Sequence, residues 1–301
     1  MTDYVIRPAD PATDAAPASA ITAKAFPYLL QDATSTAHRM GDTRNQPMRH
    51  VAEIDGDVVA YASTAVAAES ARPGTVALSL LVAEEHRGKG IGSALLARLE
   101  DHWTAIGATN VVARATTPEA IRFGERHGFA ASRTERISHV ALADVPDPLP
   151  IPEPYTLRYY EDVEREDLYV IDGKVVGDIP SDGGWAMPSF EEWSEIYLTD
   201  PRLAPELTAI IYDGDDPVAV SWLERIGDRV WSALCGTDPA YRGRGLAKVA
   251  KTHSLRRALE RGAVDAYTNN DGTNAPMLAV NTWLGYRLYI EQRTLVRELG
   301  C

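Results

Sequence analysis

The 301-residue sequence carries 30 Lys and Arg against 43 Asp and Glu, a formal net charge of −13, and is 45% hydrophobic. That composition excludes wholesale disorder, and the acidic balance excludes a protein that grips nucleic acid through a basic surface. No apolar run reaches membrane-spanning length, the N-terminal residues lack the pattern of a secretory signal, and two cysteines, Cys235 and Cys301, exclude a disulfide scaffold or a cysteine-rich zinc site. The expected setting is therefore cytoplasmic, with no metal, membrane or nucleic-acid partner.

In chain order, residues 4–7 predict an opening strand, and Asp55-Gly56 between apolar runs predicts a hairpin. An apolar strand at 76–82 leads into the glycine-rich stretch Arg87, Gly88, Lys89, Gly90, Ile91 and Gly92, and then an amphipathic helix over 91–106. A short strand at 111–114, a further helix and a last strand close this half. Prolines at 146, 148, 150, 152 and 154 then enforce an extended chain, read as a stiff linker over 144–154.

Past the linker the plan repeats. A strand at 155–159 precedes an acidic run at 161–167; Asp213-Gly214 marks a hairpin, and a strand at 230–234 leads to Arg242, Gly243, Arg244, Gly245, Leu246 and Ala247. A helix at 246–259 and a strand at 264–268 follow. The two glycine turns are offset by 155 residues, and the pairs Gly128-Phe129 and Gly285-Tyr286 by 157. A period of this length means duplicated domains. The second half is the more acidic and holds most of the Tyr and Trp.

A glycine turn between strand and helix brings backbone close to a ligand, and the helix's first N–H groups favour an anion there. The Arg and Lys side chains of the turns add positive charge, so a pyrophosphate fits. The unit, Arg-x-x-Gly-x-(Gly/Ala) after a strand with a Gly-aromatic pair some 40 residues on, resembles the acyl-CoA site of the GCN5-related N-acetyltransferase (GNAT) superfamily. The tandem plan is similar to that of mycothiol synthase, and the run Asn274, Met277, Asn281, Leu284, Gly285 and Tyr286 looks like that of a group of tandem bacterial GNATs.

The resemblance implies an α+β chain of two GNAT domains, 1–143 and 155–301, each a mixed, mostly antiparallel twisted sheet flanked by helices. It implies acetyl-CoA as cosubstrate and a small primary amine as acceptor; the longer acceptor-side segment of the second half, rich in acidic and aromatic residues, leads to the expectation of a cationic amine and of catalysis in that half. A noncatalytic acyl-CoA-binding or regulatory protein, and a mycothiol-synthase-like acetyltransferase, are the alternative readings. A tandem pair also suits either a monomer or a homodimer.

By the same resemblance, backbone at Leu81 and Val82, or at Gly236 and Thr237, holds the pantetheine; the two turns bind pyrophosphate, and Asn274 joins the cofactor set. The place of the family's frequent tyrosine acid holds Gly124 and Asn281, leaving Asn281 as the second half's candidate. The place of its carboxylate base holds Val76 and Trp231, so Glu53, Glu224 and the terminal carboxylate of Cys301 are the candidates, Glu224 foremost. The acidic run, with Asp178, Trp185, Trp193 and Tyr197, is the candidate cationic-amine site. Cys235 reads as a small hydrophobe, and His127 and His253 as helix residues that pack or face solvent.

Overall fold

The computed structural model describes residues 3–300; the Cys301 carboxylate lies outside the described residues. Packing divides the chain into two units. The first holds β1 (Val5–Pro8), α1 (Pro11–Ala25), α2 (Ala33–Gly41), β2 (Met48–Ile54), β3 (Asp57–Val66), β4 (Thr75–Val82), α3 (Ile91–Ala105), β5 (Asn110–Ala115) and α4 (Pro118–Arg126). The chain passes into the second unit along β6 (Ala130–Ala141), followed by β7 (Thr156–Tyr159), α5 (Arg165–Val175), α6 (Phe190–Tyr197), β8 (Ala209–Asp213), β9 (Asp216–Ile226) and β10 (Arg229–Thr237). Then come α7 (Leu246–Glu260), β11 (Asp265–Asp271), α8 (Ala275–Trp283) and β12 (Arg287–Glu298), which re-enters the first unit at Gln292.

This division differs from one that simply follows chain order, because the last strands are exchanged. Residues from Gln292 onward belong with the first unit, and Thr134–Glu291 form the second. The physical reason is the open edge of β5. The strand that follows α4 in sequence pairs antiparallel with β11, from Glu135 opposite Asp271 to Ala141 opposite Asp265. The free edge of β5 is instead filled by β12, from Arg293 opposite Ala115 to Glu298 opposite Asn110. A row of unpaired N–H and C=O groups is thereby satisfied in each unit.

Both sheets are mixed and mostly antiparallel. In the first, β1 to β4 pair antiparallel in order and β4 pairs parallel with β5. In the second, β7 to β10 repeat this and β10 pairs parallel with β11. The Asp55-Gly56 hairpin turn lies at positive φ in both residues, as a two-residue connection between twisted strands requires.

The first core forms where α3 lays Leu95, Leu96, Leu99 and Trp103, spaced three and four apart, on the inner faces of β2 to β5. Each such side chain contributes roughly 1.5–3 kcal/mol. The Trp103 indole N–H donates to Thr64 Oγ1 at 2.9 Å, so the buried donor is satisfied. In the second unit α7 packs on the corresponding sheet face, and a separate cluster gathers Trp193 and Trp222 with residues of α5. The proline segment has no regular structure over 145–153 but docks on α7: His253 Nε2 lies 2.9 Å from the Leu149 carbonyl, and Arg256 donates to the Val145 carbonyl at 3.1 Å.

The exchange makes a residue-level prediction. Leu295 of β12 is buried in the first core, so Leu295→Ala should cost that unit about 2–5 kcal/mol. Hydrogen exchange should then speed up at the β5 amides, 110–115, while the β11 amides, 265–271, keep their protection.

Candidate functional site

The site begins where two parallel strands part. β4 and β5 pair from Thr75 opposite Asn110 to Leu78 opposite Ala113, and no further. Beyond that register β4 continues through Leu80, Leu81 and Val82, while β5 ends at Ala115 and the chain turns into α4. A cavity of about 560 Å³ opens in the gap. Its lining includes Leu81, Val82, Arg87, Gly88, Gly90, Ile91 and Gly92, all named from the sequence.

The glycine turn is built for an anion. Gly90 has φ +85° and opens α3 with no side-chain cap, so the first-turn N–H groups are left for a ligand. A Cβ at Gly90 would meet nothing within 4 Å, so backbone conformation, not crowding, demands the glycine. Arg87 donates from Nε to the Val82 carbonyl at 3.1 Å, tying the turn to the strand end. Lys89 stands beside His86, with 3.4 Å between Nζ and Nδ1. Sequence reasoning missed Ser93, Thr116, Thr117 and Phe123 in this lining. Thr117 also caps α4, accepting from Ala120 N–H at 3.2 Å; its position matches Asn274 at the 157-residue offset, which was the available signal.

The second half repeats the parting. β10 and β11 pair from Arg229 opposite Asp265 to Ser232 opposite Thr268, and an irregularity at 232–234 follows. Gly245 has φ +78° and opens α7 without a side-chain cap. This half's own side chains engage its turn. Arg242 is ion-paired with Asp178, and Arg244 donates to the Tyr155 hydroxyl and lies 4.9 Å from the Tyr241 ring centroid. Val175 covers Gly236: a Cβ there would come within 2.8 Å of the valine. Thr237 pairs with Ala219, Leu246 is buried, and Ala247 accepts from Cys235 Sγ at 3.7 Å.

Asn274 caps α8, accepting from Met277 N–H at 3.3 Å. Asn281 is buried and bridges two groups: its Oδ1 accepts from Lys251 Nζ at 2.8 Å, and its Nδ2 donates to Asn270 Oδ1 at 2.5 Å. Lys251, fully buried, was missed by the sequence reading, and burial pushes its ammonium below the usual lysine range. Burial likewise pushes the Cys235 thiol up. Among the base candidates, Glu224 is held by Arg202 at 3.1 Å, and Glu53 by Arg7 at 2.9 Å. His127 Nε2 lies 3.1 Å from Ser93 Oγ.

The acceptor-side residues fall into two settings, Asp178 and Trp185 near the turn and Trp193 in the core. Asp178 is at the turn, and Trp185 donates its indole N–H to the Ile179 carbonyl at 2.6 Å. Trp193 is corrected from a pocket wall to a core residue: it has no exposed surface, and rings of Tyr169, Phe190, Tyr197 and Trp222 surround it. Glu161 of the acidic run pairs with Arg257 at 2.5 Å, and Asp167 accepts from the Tyr212 hydroxyl at 2.9 Å.

Asp172 of α5 is the unforeseen carboxylate here. It is buried, accepts the Trp193 indole N–H at 2.7 Å, and is pushed up to about 6 because burial disfavours its charge. Unfolded, it would titrate near 3.8. Between these values the folded state binds more protons, so stability falls as pH rises from about 4 to about 6 and then levels. Asp172→Asn should remove that loss, on the order of 3 kcal/mol. Denaturant melts of both proteins should diverge across this window, with the variant gaining on the wild type.

Residues 17–129 match the acetyltransferase (GNAT) family, and residues 186–273 match an acetyltransferase (GNAT) domain, together more than half of the chain. The mycothiol acetyltransferase of Rhodococcus erythropolis (strain PR4) is 24% identical over 308 residues, covering 96% of this chain and 98% of that protein. The mycothiol acetyltransferase of Segniliparus rotundus is 26% identical over 242 residues, covering 76% and 88%. A tandem GNAT protein from the clavulanic acid biosynthesis pathway shares the fold at a TM-score of 0.76 and 17% identity, covering 99% of both chains. A GCN5-related N-acetyltransferase from Sphaerobacter thermophilus does so at 0.74 and 19% identity, covering 98% and 95%.

Proposed function

The chain belongs to the GNAT family, as two tandem domains with N-acetyltransferase chemistry, and from that premise we propose that it moves the acetyl group of acetyl-CoA to the primary amine of a small, cationic molecule. The observation that carries this reading is the first-half cavity, which joins an uncapped helix N-terminus to the gap between parting strands. Pyrophosphate would sit on the N–H groups after Gly90, with Arg87 at its side. The pantetheine would run along Leu81 and Val82, whose backbone beyond Leu78 has no partner on β5. A thioester held there with its carbonyl against backbone donors is poised for direct attack by an amine, and positioning supplies much of the rate.

The small-molecule acceptor is proposed on the pattern of the relatives, named mycothiol acetyltransferases, and its positive charge on the exposed Glu161, Asp162, Glu164 and Glu166. A second reading places catalysis in the second half. It is favoured by the buried Lys251–Asn281–Asn270 chain beside that half's parting strands. In that reading the Asp178–Arg242 pair and the Val175 contact must open before acetyl-CoA enters.

Calorimetry with acetyl-CoA, together with turnover followed by thiol release on a panel of primary amines, tests both readings. Gly90→Asp and Gly245→Asp each put a carboxylate where a phosphate belongs, on a backbone that side chains rarely adopt. The first-half reading expects Gly90→Asp to lower turnover at least 100-fold, about a 3 kcal/mol loss of transition-state stabilisation, and to remove one bound acetyl-CoA, with Gly245→Asp near wild type. The opposite ranking moves catalysis to the second half, and absence of acetyl-CoA binding by the wild type overturns the function.

A further inference from the structure

The offsets that align the two turns also align the residues around them. Leu80, Leu81, Leu96, Gly124 and Phe129 all border the first-half cavity. Their counterparts are Cys235, Gly236 and Lys251 at an offset of 155, and Asn281 and Tyr286 at 157. The elements agree with this arithmetic. Leu96 and Lys251 each stand sixth in α3 and α7, and Gly124 and Asn281 each stand seventh in α4 and α8. Positions that are mostly apolar around the first-half cavity are therefore mostly polar in the second half.

That polar set is incomplete by itself. Lys251 has no exposed surface and, among the described residues, pairs with no carboxylate. Its Nζ donates to Asn281 Oδ1 and lies 5.0 Å from the Tyr286 ring centroid. The Tyr286 hydroxyl is buried without a hydrogen-bond partner. Cys235 of β10 and Tyr286, which precedes β12, are the titratable groups near this lysine; burial raises both, against the pull of Lys251 on the Cys235 thiol, and the neighbouring Cys235 raises Tyr286 further. A buried cation lacking an anion, beside an orphaned hydroxyl donor, is costly. A negatively charged atom reaching Lys251 would meet the first deficit.

We infer that the second half holds a thiolate site of its own, in which Lys251, steadied by Asn281 and packed on the Tyr286 ring, receives the departing thiolate sulfur of coenzyme A as an ion pair. The inference rests on the second reading above, in which catalysis lies in the second half and its glycine turn binds acetyl-CoA. In the step, the amine nitrogen bonds to the acetyl carbon, the carbon–sulfur bond breaks, and its electron pair goes to sulfur. The Lys251 ammonium keeps its proton and meets the new charge on sulfur as an ion pair. The acylated nitrogen loses its extra proton to water, and water protonates the sulfur, giving the thiol. The thiolate's charge offsets what burial costs the ammonium. The leucine at the matching first-half position has no such capacity.

The probe is coenzyme A itself, and the readout is the ultraviolet absorbance of its thiolate during a pH titration of the bound complex. Wild type should show one class of bound thiol titrating at least about one pH unit below free coenzyme A, a tenfold stabilisation of the thiolate. Gly245→Asp and Lys251→Met should lose that class, whereas Gly90→Asp should keep it. If all bound coenzyme A in the wild type titrates like the free thiol, or if Lys251→Met keeps the shift, the inference falls while acetyl-CoA binding stands. If no coenzyme A binds, the functional reading falls with it. Should Lys251→Met fail to fold, the wild type and the two glycine variants still decide.

Discussion

Two neighbouring parallel strands that hydrogen-bond for four residues and then part are the constraint on which each half depends. In the first, the pairing stops at Leu78 and Ala113; in the second, at Ser232 and Thr268. Parting leaves strand-end backbone with no sheet partner on one side, which a folded protein tolerates only where water, a side chain or a ligand takes its place. It also opens the space into which the following turn and helix point their N–H groups. The parted strands need support from elsewhere, and β4 finds it in unbroken antiparallel pairing with β3 as far as Val82. For β5 the support is β12, a strand from the far end of the chain. The exchange is thus tied to the site, because it braces one of the two strands whose separation makes the cavity.

From one scaffold the halves have diverged at their anion turns. Arg87 braces its own strand end and leaves the turn open, whereas Arg242 is occupied by Asp178. An exposed pair of this kind is worth little, about 0–1 kcal/mol, so a pyrophosphate competing for Arg242 faces a modest barrier. The Val175 contact on Gly236 is the firmer obstacle, since it places apolar bulk directly on the strand end.

The features legible in the sequence were those fixed by local backbone chemistry. Gly90 and Gly245 announce positive φ before a helix, and Asp55-Gly56 announces a hairpin; each is set within a few residues and reads correctly. What stayed hidden depended on partners far away in the chain. Nothing local in β6 or β12 tells which β-strand edge each will fill, so the exchange was invisible. Trp193 looked like a pocket wall because aromatic residues beside acidic ones suit a cation; whether the ring faces a cleft or a core is decided by Trp222 and Asp172, residues of other elements. Lys251 lies unremarked within the helix predicted at 246–259, although its offset of 155 from Leu96 marks it.

The duplication supplies its own control on what the second half gives up. At the positions of Leu80, Leu96 and Phe129, apolar side chains border a cavity and cost nothing in desolvation. At Cys235, Lys251 and Tyr286 the same fold buries an amine and a hydroxyl. Leaving such groups short of partners costs from one to several kcal/mol each, a large share of the 5–15 kcal/mol by which a domain is stable. The first half proves that this backbone accepts leucine and phenylalanine at matching positions, so the fold itself does not demand the polar set. Asp172 adds a buried carboxylate to the same half, with an indole N–H as its hydrogen-bond donor. Groups whose cost the scaffold does not require are best explained by work the scaffold alone does not do. The two halves thus keep one backbone and differ in chemistry, with apolar side chains where the other half buries an amine and a hydroxyl.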